Sequence, residues 1–152
     1  MFRSNIPAFL RPDLNLENFL NVPVKDRRQV GCRKFISEEV GNGYVSARCI
    51  PKGEILFEYN GSLVSRDEAD ARQVVYESKG WPYAFFDVPS GVIDPYDPWG
   101  YDLAPWVLLN HSAVQPNVEA KLIRRGQAYH VLLISKFWIP KGFELRWTYR
   151  LA

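Results

Sequence analysis

Asn110 and His111 follow an apolar run and precede Ser112 and a turn-like Pro116-Asn117 in the string WVLLNHSAVQPNVEAK, residues 106–121. Each of the two side chains donates and accepts hydrogen bonds. At the end of the most buried-looking segment of the chain they need partners, from the fold itself or from a bound polar ligand. A lone histidine in such a place is more often a satisfied core residue than a ligand. Two other strings end in a tyrosine: ARCIPKGEILFEY closes on Tyr59, and SKFWIPKGFELRWTY closes on Tyr149. A tight turn accounts for Pro-Lys-Gly in both. It does not account for a tyrosine at both ends, a residue that offers an apolar wall with one directed hydroxyl. Gly41-Asn42-Gly43 leaves peptide groups open to close approach, although a hairpin turn requires nothing more of it.

The elements that must position these residues are mostly short strands. GYVSARCI, EILFEYNGSLVS, YAFFDV, GVIDP, HVLLISKFWI and FELRWTY are rich in β-branched and aromatic residues, with Gly, Pro and Asn turns between them. One stretch, SRDEADARQVVYESKG, predicts a helix, with Ser65 as N-cap, Glu68 completing a capping box and Gly80 just past the end. Strands, one clear helix, then strands again, without βαβ repeats, predict a mostly β (α+β) domain and exclude a dinucleotide-binding sheet. Residues 1–29 form a flanking segment of different character, with a short helix expected over residues 14–20, and the domain proper spans residues 30–152. No internal repeat is evident.

At 152 residues the chain is long enough for one sizeable core, and 47% hydrophobic content predicts a folded domain. A net charge of +2 gives no ground for nucleic-acid binding by charge alone. Two cysteines without a spaced Cys/His set predict no metal site. They are read as free thiols of a reducing compartment. No apolar run approaches the roughly 20 residues of a membrane span.

Four blocks taken together resemble the SET-domain protein lysine methyltransferases. GNGYVSA with IPKGEILFEYNG resembles the family's Gly-x-Gly segment and its EYxG strand. YAFF before Val92-Ile93-Asp94 resembles its short aromatic strand and ID turn. LLNHSAVQPN is very close to its NHSxxPN signature, and IPKGFELRWTY to its terminal GEELxxxY. The blocks stand in the family's order over residues 38–150, and the nearest likeness is to compact single-domain histone mono-methyltransferases. The resemblance implies several small twisted sheets with a knot-like threading of the C-terminal segment. It implies transfer of a methyl group from S-adenosylmethionine to a lysine of a protein, a histone tail above all, and hence a nuclear location.

The same resemblance assigns roles. Tyr149 matches the catalytic tyrosine, and Tyr59 one that lines the lysine channel and hydrogen-bonds the amine. Gly41, Asn42, Gly43, Tyr44, Tyr83, Asn110 and His111 match positions around the methyl donor. Asn110 is expected to meet its amino-acid moiety. His111 is expected to meet the adenine by backbone groups, its ring bracing the threaded C-terminus. Phe85 and Trp147 join Tyr59 in the channel. Trp147 stands where many members carry Phe or Tyr, which implies a tighter channel and at most one methyl, or a blocked site. Arg150 stands where Gly usually follows the catalytic tyrosine, and Phe143 replaces one Glu of the terminal motif while Glu144 is kept. No cysteine-rich segment follows the terminal motif before Ala152. A partner, the N-terminal flank or a further segment is therefore expected to complete the adenine wall. An active enzyme on histones, one on another protein, and a non-catalytic module that binds a peptide or protein partner all remain open from the sequence.

Overall fold

A computed structural model describes residues 29–97, 105–112 and 114–151, together with Phe19. The side chains of Pro105, Leu108 and residues 149–151 lie outside this set, as does the helix expected over residues 14–20, Phe19 excepted.

The largest sheet grows from the hairpin of β8 (Val118–Arg125) and β9 (Ala128–Ser135), paired antiparallel from Val118 opposite Ser135 to Arg125 opposite Ala128. The strand β3 (Ile55–Glu58) adds to β9, and β10 (Arg146–Leu151) runs parallel to β8. A two-residue strand, β7 (Asn110–His111), closes the far edge in the order β3-β9-β8-β10-β7. Val131, Leu132 and Leu133 on β9 are wholly buried, as are Ile50, Leu109 and Leu145 from the surrounding loops. The β8 strand is absent from the sequence reading because VEAKLIRR looks polar. Its Val118 and Ala120 are buried while Lys121 is exposed, so it is a strand with one wet face.

The two Pro-Lys-Gly turns are partners. Ile50 and Ile139, which lead into them, exchange backbone hydrogen bonds at 2.8 Å in both directions. Gly53 N donates to Ser135 O and Gly142 N to Ser46 O, both at 2.9 Å. Ser135 Oγ donates to Pro51 O and Ser46 Oγ to Pro140 O, both at 2.6 Å. Each hydroxyl in turn accepts a backbone N–H just beyond the other turn, from Glu54 and from Phe143. The segments SARCIPKGE and SKFWIPKGF are thus related by a local two-fold. This corrects the expectation of no internal repeat: the shared positions are few, and pairing reveals them.

A ribbon of β1 (Gly31–Ser37) and β2 (Gly41–Ser46) carries the Gly-x-Gly segment. The third sheet holds β4 (Ser62–Val64), β5 (Phe86–Val88) and β6 (Gly91–Asp94) in the order β4-β6-β5. EILFEYNGSLVS therefore breaks into two strands at residues 59–61, and only the end of YAFFDV pairs as a strand.

Against this sheet lies α1 (Arg66–Ser78). Ser65 caps it, its Oγ accepting from Glu68 N at 3.1 Å. The reciprocal half of the capping box does not form, because the Glu68 carboxylate pairs with Arg72 one turn on. Arg72 and Tyr76 converge on Asp94, whose side chain is fully buried; Arg72 Nη1 donates at 2.9 Å and Tyr76 OH at 2.5 Å. Tyr96 N donates to the other carboxylate oxygen at 2.9 Å. Burial, and then the bond to the carboxylate, push the Tyr76 phenol above its ordinary range. The nearby Asp97 carboxyl is held low by bonds from Ser62 and Arg72. Among the described residues no helix is long and apolar enough to cross a membrane.

Candidate active site

The C-terminal strand organises the site, because its neighbours arrive from distant parts of the chain. β10 lies between β7 and β8, so Ser112 and Asn117 flank it from opposite sides. Ser112 N donates to Trp147 O and Asn117 N to Arg146 O, both at 2.9 Å. The Asn117 side chain holds the start of this strand and the residues just before it, accepting from Arg146 N and donating to Glu144 O, both at 2.8 Å. Thr148 Oγ1 donates back to Ser112 O at 3.0 Å. This clasp is the physical content of the expected threading. It shows what Asn117 does, where the sequence suggested only a turn.

Asn110 and the Gly-x-Gly segment meet at one end of the clasp. Asn110 Nδ2 donates to Asn42 O at 3.2 Å and to Glu144 Oε2 at 2.7 Å. Leu145 N donates to Tyr44 O at 2.8 Å, so the start of the terminal motif is laid along β2. Tyr44 itself is buried, edge-on to Phe57 at 5.7 Å between centroids. Burial raises its phenol above the ordinary value, with Cys32 adding to the shift. His111 is exposed, and its backbone faces Trp147 across the β7–β10 pairing. A Cβ on Gly43 would come within 2.7 Å of Glu144 Oε2 and 2.9 Å of Asn110 Nδ2, so these groups close directly on the glycine backbone. Gly43, Asn110 and Glu144 form a cradle in which the Asn110 amide oxygen and the Glu144 carboxylate are acceptors, an arrangement that suits a group carrying only donors, such as an ammonium.

Gly43→Ala separates two roles of this cradle. Two of the atoms it meets are polar side-chain ends that can shift and the third is Ile36 Cγ1 at 2.8 Å, so the stability cost is about 1–3 kcal/mol. The Asn110–Glu144 contact cannot survive that shift. Affinity for an ammonium ligand taken up at the cradle is expected to fall at least about tenfold, equivalent to one lost charge-assisted bond. Chemical denaturation and ligand titration measure the two quantities separately.

Aromatic rings gather on the other side of Trp147. Its ring is buried and stacks nearly parallel on Phe86, with centroids 5.9 Å apart and planes 8° from parallel. Tyr59 packs on both, at 5.1 Å from Phe86 and 5.7 Å from Trp147. Its hydroxyl donates to Ala84 O at 2.5 Å. These rings, with Tyr83, Trp106 and Leu109, line a cavity of about 200 Å³. Phe85 also lines it, while its ring stacks on Tyr76 of α1 at 5.9 Å. Phe86 is the ring that packs with Tyr59 and Trp147. The sequence singled out Phe85, and Phe86 joins it in the lining of the same cavity. Tyr83 stands at the rim, 59% exposed, its hydroxyl 3.5 Å from Arg66 Nη1. Arg66 pairs in turn with Asp87. Tyr149 has its backbone in β10, two residues beyond Trp147, and its side chain lies outside the described residues.

The fold thus brings together Asn110, the Gly-x-Gly segment and, around Trp147, Tyr59, Tyr83 and Phe85 along one strand. Glu144, Asn117, Phe86 and Trp106 are members the sequence did not single out.

Comparison with known proteins agrees with this geometry. The SET domain family matches residues 41–150. The histone-lysine N-methyltransferase CLF of Arabidopsis thaliana is 34% identical over 115 residues, covering 76% of this chain and 12% of that protein. The histone-lysine N-methyltransferase set-1 of Caenorhabditis elegans is 27% identical over 117 residues, covering 72% of this chain and 46% of that protein. The chain spans less than half the length of either relative. The crystal structure of CpSET8 from Cryptosporidium superposes with a TM-score of 0.65 at 20% identity, covering 87% of this chain and 71% of the other. That likeness concerns the fold: several small β-sheets and one described helix. Clasped β10, the cradle at Asn110 and a match that spans most of the sequence lead to one assignment: the chain belongs to the SET domain family.

Proposed function

We propose that this chain is a protein-lysine N-methyltransferase that uses S-adenosylmethionine and adds one methyl group to a lysine of a histone tail, in the nucleus. The observation that carries the reading is the shared strand: Trp147 stands in the aromatic cavity while Glu144, just before β10, reaches the Asn110 cradle. A lysine entering through the cavity and a donor held at the cradle would meet at that strand.

Bound donor supplies an electrophilic methyl on a sulfonium. The chain's own residues prepare the amine. A free lysine has a pKa near about 10.4 and arrives cationic. The ring faces of Tyr59, Phe86 and Trp147 accept a cation, while their low-dielectric walls lower the cost of shedding its proton to solvent. The Tyr59 hydroxyl gives its one hydrogen to Ala84 O, so toward an amine it acts as an acceptor of an N–H and aims the nitrogen. A donor held at the cradle of Gly43, Asn110 and Glu144 would supply its methyl group to that nitrogen and leave as the thioether. Tyr149 is assigned positioning and electrostatic help near the transferring methyl. An unshifted phenol, with a pKa near about 10, is a poor base at neutral pH. Trp147 limits the product to one methyl by its size.

Core histones and nucleosomes incubated with the protein and S-adenosylmethionine provide the test, read by intact-mass and tandem mass analysis. One lysine is expected to gain one methyl, and Tyr149→Phe is expected to slow transfer by about 100-fold or more, the usual cost of one transition-state hydrogen bond. Donor binding without methyl gain, in histones or in a whole-cell extract, would make the chain a peptide-binding SET module instead.

A further inference from the structure

Asn110 is held by one end of its amide only. Both Nδ2 contacts run to acceptor oxygens, of the Glu144 carboxylate at 2.7 Å and of the Asn42 carbonyl at 3.2 Å. Turning the amide over would set its carbonyl against a carboxylate and a second carbonyl, an arrangement of three acceptors without a donor. Oδ1 has no partner among the described residues. It is the one function Asn110 has left to offer. The Gly43 backbone closes the same corner so tightly that even a methyl would displace Glu144, Ile36 or Asn110.

We propose that Glu144 is a positioning residue that makes the site selective for an α-ammonium group. By holding Nδ2 it presents Oδ1 of Asn110 as a fixed acceptor, and an ammonium carries only donors. An amide released from Glu144 turns freely, and in half of its orientations its NH₂ opposes the ammonium. The inference deepens the methyl-donor reading of the cradle and rests on it: the site recognises an α-amino acid moiety, and Glu144 supplies the discrimination through Asn110.

Titration calorimetry tests this without turnover. The ligands are S-adenosylhomocysteine and the same thioether lacking its α-amino group. The unmodified chain is expected to prefer the amino form by about tenfold or more, the range of a hydrogen bond to a charged group. In Glu144→Ala that preference falls to within about threefold while affinity for the desamino ligand changes little. Glu144→Gln keeps a side-chain carbonyl to accept from Nδ2, so it keeps the preference. Glu144→Asp keeps the charge but falls short by one methylene, so it loses much of it. The Gln and Asp variants carry the test alone if the Ala variant does not fold. Parallel weakening of both ligands in Glu144→Ala would mean a merely structural role. Equal loss in the Gln and Ala variants would mean that charge and not orientation acts. Either result overturns the proposal and leaves the donor reading standing. If the unmodified chain binds neither ligand, the donor reading falls and the proposal falls with it.

Discussion

Asp94→Ala is expected to destabilise the domain by about 3 kcal/mol, at the lower end of what breaking a buried charged pair costs. The value follows from what the substitution strands. The Asp94 side chain is fully buried and accepts from Arg72, Tyr76 and Tyr96. Arg72 is partly exposed and keeps Glu68 and Asp97, so its share of the loss is small. The Tyr76 hydroxyl and the Tyr96 N–H are worse placed, each costing about 1–3 kcal/mol when left unsatisfied. Asp94→Asn recovers little, because its amide nitrogen turns a donor toward donors. Urea denaturation gives the size of the effect.

A second measurement checks the cause. The folded-state pKa of the Tyr76 phenol is raised above its ordinary value of 10.0. Its contribution is therefore whole below about pH 10 and is lost as pH rises through the raised folded value. In Asp94→Ala this alkaline loss should shrink, because the bond that helps raise the phenol is gone. An unchanged alkaline profile would show that Tyr76 owes nothing to Asp94. The effect reaches the site as well. Tyr76 stacks on Trp81 and Phe85, and Tyr96 OH holds Pro82 O at 2.6 Å, so the cavity wall at residues 81–85 rests on this network. Substrate KM should rise with the loss of stability.

Trp147→Ala is expected to cost about 3–5 kcal/mol, the range for removing a large buried aromatic ring. The indole is 4% exposed and packs against both Phe86 and Tyr59, so neither neighbour can close the gap without leaving the other. Trp147→Phe costs less and tells more. A smaller ring keeps the stack on Phe86 and leaves space beside the amine. The variant is expected to shift the product from one methyl to two, read directly as substrate mass. A chain that already adds three methyls with Trp147 in place would end the view that this ring sets the limit.

Several features of the site were legible in the sequence because they depend on near neighbours. Ser65 had to cap a helix, since its oxygen meets the N–H of Glu68 three residues on whatever surrounds it. The four motif blocks pointed to the family, and within them Tyr59, Asn110 and the Gly-x-Gly segment took their places around β10. Other features required the tertiary fold, because the partners lie far apart along the chain. Glu144 reaches Asn110 across 34 positions, and Ser46 reaches Pro140 across 94. Nothing local in SARCIPKG and SKFWIPKG says that each serine will serve the other's turn. Pairing is what satisfies both buried hydroxyls and the backbone groups beside them. That Phe86 as well as Phe85 would line the cavity was likewise open until the fold set Phe86 against Tyr59 and Trp147. Sequence alone determined the family, the turns and the helix cap, where the relevant forces act within a few residues. Only the folded chain decided which ring faces Trp147, which carboxylate orients Asn110 and which side chain clasps the last strand, since burial and hydrogen-bond satisfaction are properties of the whole packed structure.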